Sequence, residues 1–145
     1  MYIGLDIGGT KCAVITADNE GKILSRVAFA TMPCRTTLDR LFVEIEKIVK
    51  ENPRDKVRGV GISCGGPLNE KTGVIMSPPN LPGWDNVEIV REIEEKFGLS
   101  AHLRNDANAC ALAEWKFGAG KGTNHGRKRH SAGDDANRAS DYRAQ

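Results

Sequence analysis

The sequence predicts an α/β fold in which a mixed sheet is flanked by helices. Three short apolar segments rich in β-branched residues come first, separated by brief polar turns. A clear amphipathic helix follows, and strand-like and helix-like segments alternate after it. The resulting order, βββαβαβα, predicts five sheet strands, of which the first three form an antiparallel meander.

The first three strands are predicted at residues 2–7, 11–16 and 23–30. Gly8-Gly9-Thr10 joins the first two, and residues 18–21 join the next pair. Glycine, asparagine and aspartate at such positions are typical of hairpin turns.

The first helix is predicted from one apolar stripe that repeats at helical spacing. Thr36 or Thr37 is expected to cap its start, and Asn52-Pro53 to end it. The stripe consists of Leu38, Leu41, Phe42, Ile45, Ile48 and Val49.

The fourth strand is predicted at residues 57–63. Its interior glycines, Gly59 and Gly61, suggest that another backbone or a helix approaches closely. A loop rich in proline and glycine spans residues 64–84, with a small strand expected at 74–76.

Two further helices and a fifth strand complete the predicted order. Asn86 is expected to cap the second helix, which ends at Gly98. The fifth strand is predicted at 101–104, and Asn105-Asp106 opens a third helix over about 107–117.

The net charge of the 145-residue chain lies at one end. Residues 124–145 hold five basic and three acidic residues, so they carry the whole formal charge of +2. They contain no Val, Ile, Leu, Met, Phe or Trp, which predicts a disordered basic tail after a domain at 1–123. The neutral body gives no charge argument for a DNA-binding or membrane-surface domain.

Other classes of protein are excluded on similar grounds. No apolar run approaches the ~18 residues of a spanning helix, and the N-terminus has no basic region typical of a secretory signal. Four scattered cysteines in such a chain are typical of reduced thiols in a cytoplasmic protein, and no metal site is predicted from them: Cys12, Cys34, Cys64 and Cys110.

The first candidate site is the turn after the first strand. Asp6 ends that strand. Gly8 and Gly9 let backbone N–H groups approach an anion closely, and a glycine can also adopt a positive φ. Thr10 adds a hydroxyl and Lys11 a cation, while Asp6 could hold a hydrated Mg²⁺ beside phosphates. The competing interpretation is an ordinary hairpin turn.

Two further candidates lie in the second half of the chain. Asp106 at a helix start is either a simple N-cap or a general base that accepts a proton from an alcohol. Asn80 lies in a stiff, proline-rich loop, where its amide could bond sugar hydroxyls or the loop could simply pack through Trp84. Gly65-Gly66-Pro67 forms a further tight turn at a strand end.

The order and spacing of these motifs resemble a known family. Asp6 to Lys11 is similar to the first phosphate motif of the sugar-kinase and actin superfamily. Residues 61–68, the loop 78–84 and Asn105-Asp106-Ala107-Asn108 resemble the ROK family (repressor, open reading frame, kinase), and the match runs over about 1–123.

The resemblance implies the ribonuclease-H-like first lobe of a two-lobed, ATP-dependent sugar kinase, with glucose the commonest substrate. It implies that ATP phosphates and Mg²⁺ bind near Asp6 and residues 8–11. It also implies that sugar hydroxyls bind near Gly66, Asn80, Asn105 and Asp106, and that Asp106 is the catalytic base.

The sequence departs from the family pattern after Thr123, where a second lobe with a zinc cluster and an adenine pocket would follow. We therefore expect little or no activity from this chain alone. We also expect an exposed apolar face that is prone to association, which would allow a homo-oligomer. One hypothesis for the tail is a shifted reading frame. The alternatives are a fragment of a sugar-responsive regulator, although Asp6 lies too near Met1 for a preceding DNA-binding motif, and a non-catalytic sugar-binding fragment.

Overall fold

The computed structural model describes residues 1–53, 56–105 and 109–117, with side chains described through Ala113. No helix within these ranges is both long enough and apolar enough to cross a membrane. The described elements are, in order, β1 (Tyr2–Ile7), β2 (Lys11–Ala17), β3 (Ile23–Ala30), α1 (Cys34–Glu51), β4 (Gly59–Cys64), β5 (Leu68–Asn69), β6 (Val74–Ile75), α2 (Ile89–Phe97), β7 (Ala101–Asn105) and α3 (Ala109–Phe117).

Five strands form one mixed sheet in the order β3-β2-β1-β4-β7. β1 pairs antiparallel with β2, and β2 pairs antiparallel with β3. β4 and β7 join on the other side of β1 in parallel, each after a connection that contains a helix. The predicted five-stranded mixed sheet is confirmed, and its topology is the ribonuclease-H-like arrangement that the family resemblance implies.

The main core lies between one face of this sheet and helices α1 and α2. Ile3, Leu5 and Ile7 lie on that face of β1, because successive side chains of a strand point to opposite sides. Burying each such side chain contributes roughly 1.5–3 kcal/mol. Residues of the two helices that complete this core are Leu38, Leu41, Phe42, Ile45, Ile89 and Ile93.

Helix α3 covers the opposite face, where neighbouring strands carry glycines in place of side chains. Gly4 and Gly61 are register partners on β1 and β4. A Cβ atom on Gly4 would lie 2.7 Å from the Cys110 Sγ atom, and one on Gly61 would overlap the carbonyl oxygen of Ala109. The close approach predicted at Gly61 is confirmed, and it lets α3 lie directly on the sheet backbone.

The predicted cap of the first helix is wrong. Helix α1 begins at Cys34, after Pro33, so Thr36 and Thr37 lie inside it. The Thr37 hydroxyl instead bonds back to Met32, accepting from its N–H at 2.7 Å and donating to its carbonyl at 2.8 Å.

The predicted cap of the second helix is also wrong. Asn86 has a φ of 50°, and the helix begins three residues later, at Ile89. The reason is that Val87 pairs with Ile75 through two N–H···O bonds of 2.9 Å, which keep this segment extended. The predicted end at Gly98 is confirmed by its left-handed φ of 68°.

Strand boundaries shift by one or two residues from the prediction. β2 continues through Ala17, β4 spans Gly59–Cys64 rather than 57–63, and β7 includes Asn105. The small strand expected at 74–76 spans Val74–Ile75 and pairs with the two-residue strand β5, which was not predicted. The tail at 124–145 and the start of the third helix at 107 lie outside the described residues.

Candidate functional site

Three of the four candidate motifs, all but the Asn80 loop, follow strands that end at the same edge of the sheet. β1, β4 and β7 run parallel, and their last residues, Ile7, Cys64 and Asn105, are level in the register. The turn after β1 and the Gly65-Gly66 turn therefore leave the sheet beside each other, at the level where β7 ends at Asn105. Carboxyl ends of parallel strands are where ligands bind in many α/β sheets.

The turn between β1 and β2 lines a cavity of about 440 Å³. Its glycines are required by packing rather than by conformation, since neither Gly8 nor Gly9 has a positive φ. A Cβ atom on Gly8 would lie 2.8 Å from the Lys11 carbonyl oxygen, and one on Gly9 would lie 2.6 Å from the Asn80 carbonyl oxygen. The lining comprises Asp6, Gly8, Gly9, Thr10, Lys11, Cys12, Ala13 and Arg26.

Arg26 lies in this cavity although no motif pointed to it. It opposes Ile15 on the neighbouring strand, and Asp6 opposes Ala13, so alternation places both charged residues on one face of the sheet. Period-two alternation along β3 was the available signal, but β3 is exposed along most of its length and shows no apolar pattern to fix its register. The cavity thus combines one carboxylate with two cations, Lys11 and Arg26.

The loop that carries Asn80 is anchored in the main core by its own apolar residues. Leu81 and Trp84 are each 1% exposed, so Trp84 does pack, as the structural interpretation of this loop expected. At the start of the loop Ser77 has a φ of 58°, and its hydroxyl donates to Asp85 Oδ1 at 2.5 Å.

Asn80 lies between the turn after β1 and the turn after β4. Its Nδ2 atom is 3.1 Å from the position of a Cβ atom on Gly9 and 4.0 Å from that of a Cβ atom on Gly65. On the side of β3, the loop borders a second cavity of about 350 Å³. That cavity is lined by Gly9, Thr31, Met32, Pro33, Asn80, Leu81, Pro82 and Trp84.

Gly66 and Asn105 form the other half of the cluster. The Asn105 Nδ2 atom is 3.1 Å from the position of a Cβ atom on Gly66, so glycine leaves room for the amide. Glu70, which sequence reasoning missed, holds the end of β7. Its carboxylate accepts from the Asn105 backbone N–H at 3.1 Å and from Arg104 Nε at 3.2 Å.

The structure brings most of the predicted site residues together. The turn at residues 8–11 contacts Asn80, and Gly66 contacts Asn105. Asp106, the predicted base, lies outside the described residues, although it follows Asn105 directly in the chain.

The described residues suit a magnesium ion whose other ligands are water molecules and phosphate oxygens. Among the residues that the structure describes, no three His, Cys, Asp or Glu side chains form a cluster that could hold a metal ion. Asp6, half-buried in the 440 Å³ cavity, offers a single carboxylate, which suits Mg²⁺ because that ion commonly keeps several waters and substrate phosphates as ligands.

The four cysteines, all among the described residues, form no disulfide with one another. Cys12, Cys64 and Cys110 are buried, while Cys34 is partly exposed. Burial raises the pKa of the Cys12 thiol, which therefore stays neutral beside the turn.

Comparison with known proteins gives a consistent picture. The family model described as "ROK family" matches residues 2–125. The chain is 35% identical to a glucokinase of Thermotoga maritima, over 85% of this chain and 39% of that protein, and 32% identical to a xylose repressor of Caldicellulosiruptor bescii, over 80% and 30%. The chain thus spans about two fifths or less of the length of these relatives.

A solved structure agrees with the same assignment. A ROK family glucokinase from Streptomyces griseus, in complex with glucose and AMPPNP, superposes with a TM-score of 0.64 at 35% identity, over 83% of this chain and 38% of that one. With the family model, these relatives and the sheet topology in agreement, the chain belongs to the ROK family.

Proposed function

We propose that these residues supply the sugar-binding side and the first phosphate-binding turn of an ATP-dependent hexose kinase of the glucokinase type. The observation that carries this proposal is the contact between Asn80 and the Gly9 backbone. This contact supports the proposal, because Asn80, which we infer binds the sugar, lies next to Gly9, which we infer binds phosphate. Phosphoryl transfer depends chiefly on holding the two reactants in line.

In this proposal the turn at residues 8–11 binds the phosphate chain of ATP. Gly8 and Gly9 leave the backbone accessible to an anion, while Thr10 and Lys11 add a hydroxyl and a positive charge. Asp6 would hold hydrated Mg²⁺, which neutralises charge on the phosphate oxygens when bound.

The sugar lies against Gly66, Asn80 and Asn105 in this proposal. Amide side chains both donate and accept hydrogen bonds, as sugar hydroxyls do. Asp106 accepts the proton of the attacking hydroxyl; the hydroxyl oxygen bonds to the terminal phosphorus of ATP as the bond from that phosphorus to the leaving ADP oxygen breaks.

Turnover in this proposal needs a second lobe. The glucokinase relative is more than twice as long as the matched segment. We therefore expect the 145-residue chain to bind a hexose and phosphates weakly and to transfer no phosphate by itself.

Two measurements on the chain test this function. Amide NMR titration with glucose is expected to shift Gly66, Asn80 and Asn105, and an Asp106→Ala variant is expected to weaken glucose binding. A coupled ADP-release assay with glucose and Mg-ATP is expected to show no turnover. Robust turnover that disappears in Asp106→Ala would contradict the requirement for a second lobe, and turnover that survives it would contradict the role of Asp106.

A sugar-responsive regulator is the second candidate, supported by the identity to a xylose repressor. Nucleotide binding separates the two. A kinase lobe is expected to show shifts at residues 8–11 with Mg-AMPPNP, whereas a regulator or a non-catalytic sugar-binding fragment would respond to sugar alone.

A further inference from the structure

Thr31, directly after β3, forms two hydrogen bonds with the turn at residues 8–11, which is called the phosphate turn from here on. Its hydroxyl donates to the Gly8 carbonyl oxygen at 2.7 Å, and its backbone N–H donates to the Thr10 carbonyl oxygen at 2.9 Å. A single residue, distant in sequence, therefore holds carbonyl groups on both sides of Gly9.

The surroundings of the Thr31 hydroxyl favour this arrangement. The buried Cys12 Sγ atom lies 3.3 Å from Thr31 Oγ1 and 3.9 Å from the Gly8 carbonyl oxygen. Water is partly excluded from the Thr31–Gly8 bond, and a hydrogen bond in such a low-dielectric setting is stronger than an exposed one.

We propose that Thr31 is a positioning residue that orients the Gly9 N–H toward the 440 Å³ cavity, where the proposed phosphate site lies. In a planar trans peptide the N–H group points opposite to the carbonyl of the same unit. Because Thr31 holds the Gly8 carbonyl, the Gly9 N–H points away from Thr31. Gly9 lines both the 440 Å³ cavity and the neighbouring 350 Å³ cavity, whereas Thr31 lines only the second of these two, so a Gly9 N–H that points away from Thr31 points toward the 440 Å³ cavity.

The next residue connects this arrangement to a helix. Met32 exchanges two hydrogen bonds with the Thr37 hydroxyl, in the first turn of α1. The phosphate turn is thus linked through Thr31 and Met32 to α1, whose apolar side chains form the main core. Such a link lowers the ordering cost that an anion would otherwise meet on binding. This inference rests on the phosphate site of the proposed function.

The test compares a Thr31→Val variant with the unmodified 145-residue chain. Valine preserves the shape of the side chain and removes the hydroxyl. Loss of a hydrogen bond worth about 1–1.5 kcal/mol is expected to speed hydrogen exchange at the Gly8 amide, which donates to the Lys11 carbonyl, by about tenfold. Binding of magnesium tripolyphosphate, followed by NMR shifts at residues 8–11, is expected to weaken by a similar factor.

Two control variants separate positioning from general stability. Thr31→Ser keeps the hydroxyl and is expected to restore both readouts. Thr16→Val removes a comparable bond, the 2.6 Å contact between Thr16 and Ser25 hydroxyls on β2 and β3, and is expected to change neither. Should Thr31→Val not fold, Thr31→Ala serves in the same comparison.

The outcomes distinguish this inference from the proposed function. Faster Gly8 exchange with unchanged tripolyphosphate affinity would overturn the role of Thr31 and leave the phosphate site standing. Unchanged Gly8 exchange would overturn it as well. Failure of the unmodified chain to bind tripolyphosphate at residues 8–11 would contradict the phosphate site itself and, with it, the inference.

Discussion

Gly9 is the residue at which the turn after β1 meets the Asn80 loop in the proposed site. A Cβ atom there would lie 2.6 Å from the Asn80 carbonyl oxygen, a distance at which backbone has to move. Gly9→Ala is therefore expected to displace the Asn80 loop and to cost about 1–3 kcal/mol of unfolding free energy, which urea denaturation measures.

Gly65→Ala provides the matched control for this prediction. At Gly65 the nearest atom to an added Cβ is the Asn80 Oδ1 atom at 3.9 Å, an ordinary contact. Its unfolding free energy is expected to stay within about 0.5 kcal/mol of the unmodified chain. Equal losses in the two variants would show that contact with Asn80 is not what requires glycine at Gly9.

Asp18 is expected to make part of the stability dependent on acid. Its carboxylate accepts backbone N–H bonds from Lys22 and Glu20, each at 2.9 Å, and these bonds, that of Lys22 above all, lower the pKa of Asp18 below its usual 3.8. A carboxyl with a lowered folded-state pKa contributes stability above its unfolded value, and this contribution is lost as pH falls through the folded pKa.

Asp18→Asn keeps an acceptor oxygen but does not titrate. Thermal unfolding of this variant is expected to depend less steeply on pH between about pH 5 and about pH 2.5 than that of the unmodified chain. Parallel curves would show that the turn bonds do not depend on the charge of Asp18.

At the scale of elements, the small β5–β6 hairpin forms a hydrogen bond with the last residue of β7. Glu70 in its turn accepts from the Asn105 N–H. Glu70→Ala is expected to speed hydrogen exchange at the Asn105 amide by about tenfold, since the hydrogen bond is lost, whereas Glu70→Gln keeps an acceptor and is expected to slow exchange back toward the original rate. Equal exchange in all three chains would contradict this role for the hairpin.

The periodicity of apolar residues was sufficient to predict the sheet strands, α1 and α2. Their start points were not predictable in the same way, because Thr37 bonds backward to Met32 and the pairing of Val87 with Ile75 delays α2. The missed contacts share one cause. Thr31 meets Gly8 across 23 residues, and Glu70 meets Asn105 across 35, so no local pattern could indicate either.

At the scale of the whole molecule, β3 is the outermost strand of the described sheet on the side of β2. Ile23 is 47% exposed, Leu24 54% and Val27 38%. Edge strands with exposed apolar side chains favour pairing with another chain. We therefore expect concentration-dependent self-association, detectable by sedimentation velocity.

Val27→Lys places a charge on this strand and is expected to keep the chain monomeric to higher concentration. Met76→Lys makes the same change at a residue 42% exposed in the loop after β6 and is expected to leave association unchanged. If both variants associate like the unmodified chain, β3 is not the contact surface.

The level register of Ile7, Cys64 and Asn105 limits how this sheet can vary. Each of the three strands works as a spacer of fixed length between the body of the sheet and residues of the proposed site. One residue inserted into β4 would advance the Gly65-Gly66 turn by about 3.3 Å and reverse every side chain beyond the insertion. We therefore expect β1, β4 and β7 to keep their residue counts, and Gly4 and Gly61 within them to keep their identity, because α3 leaves no room there for a side chain.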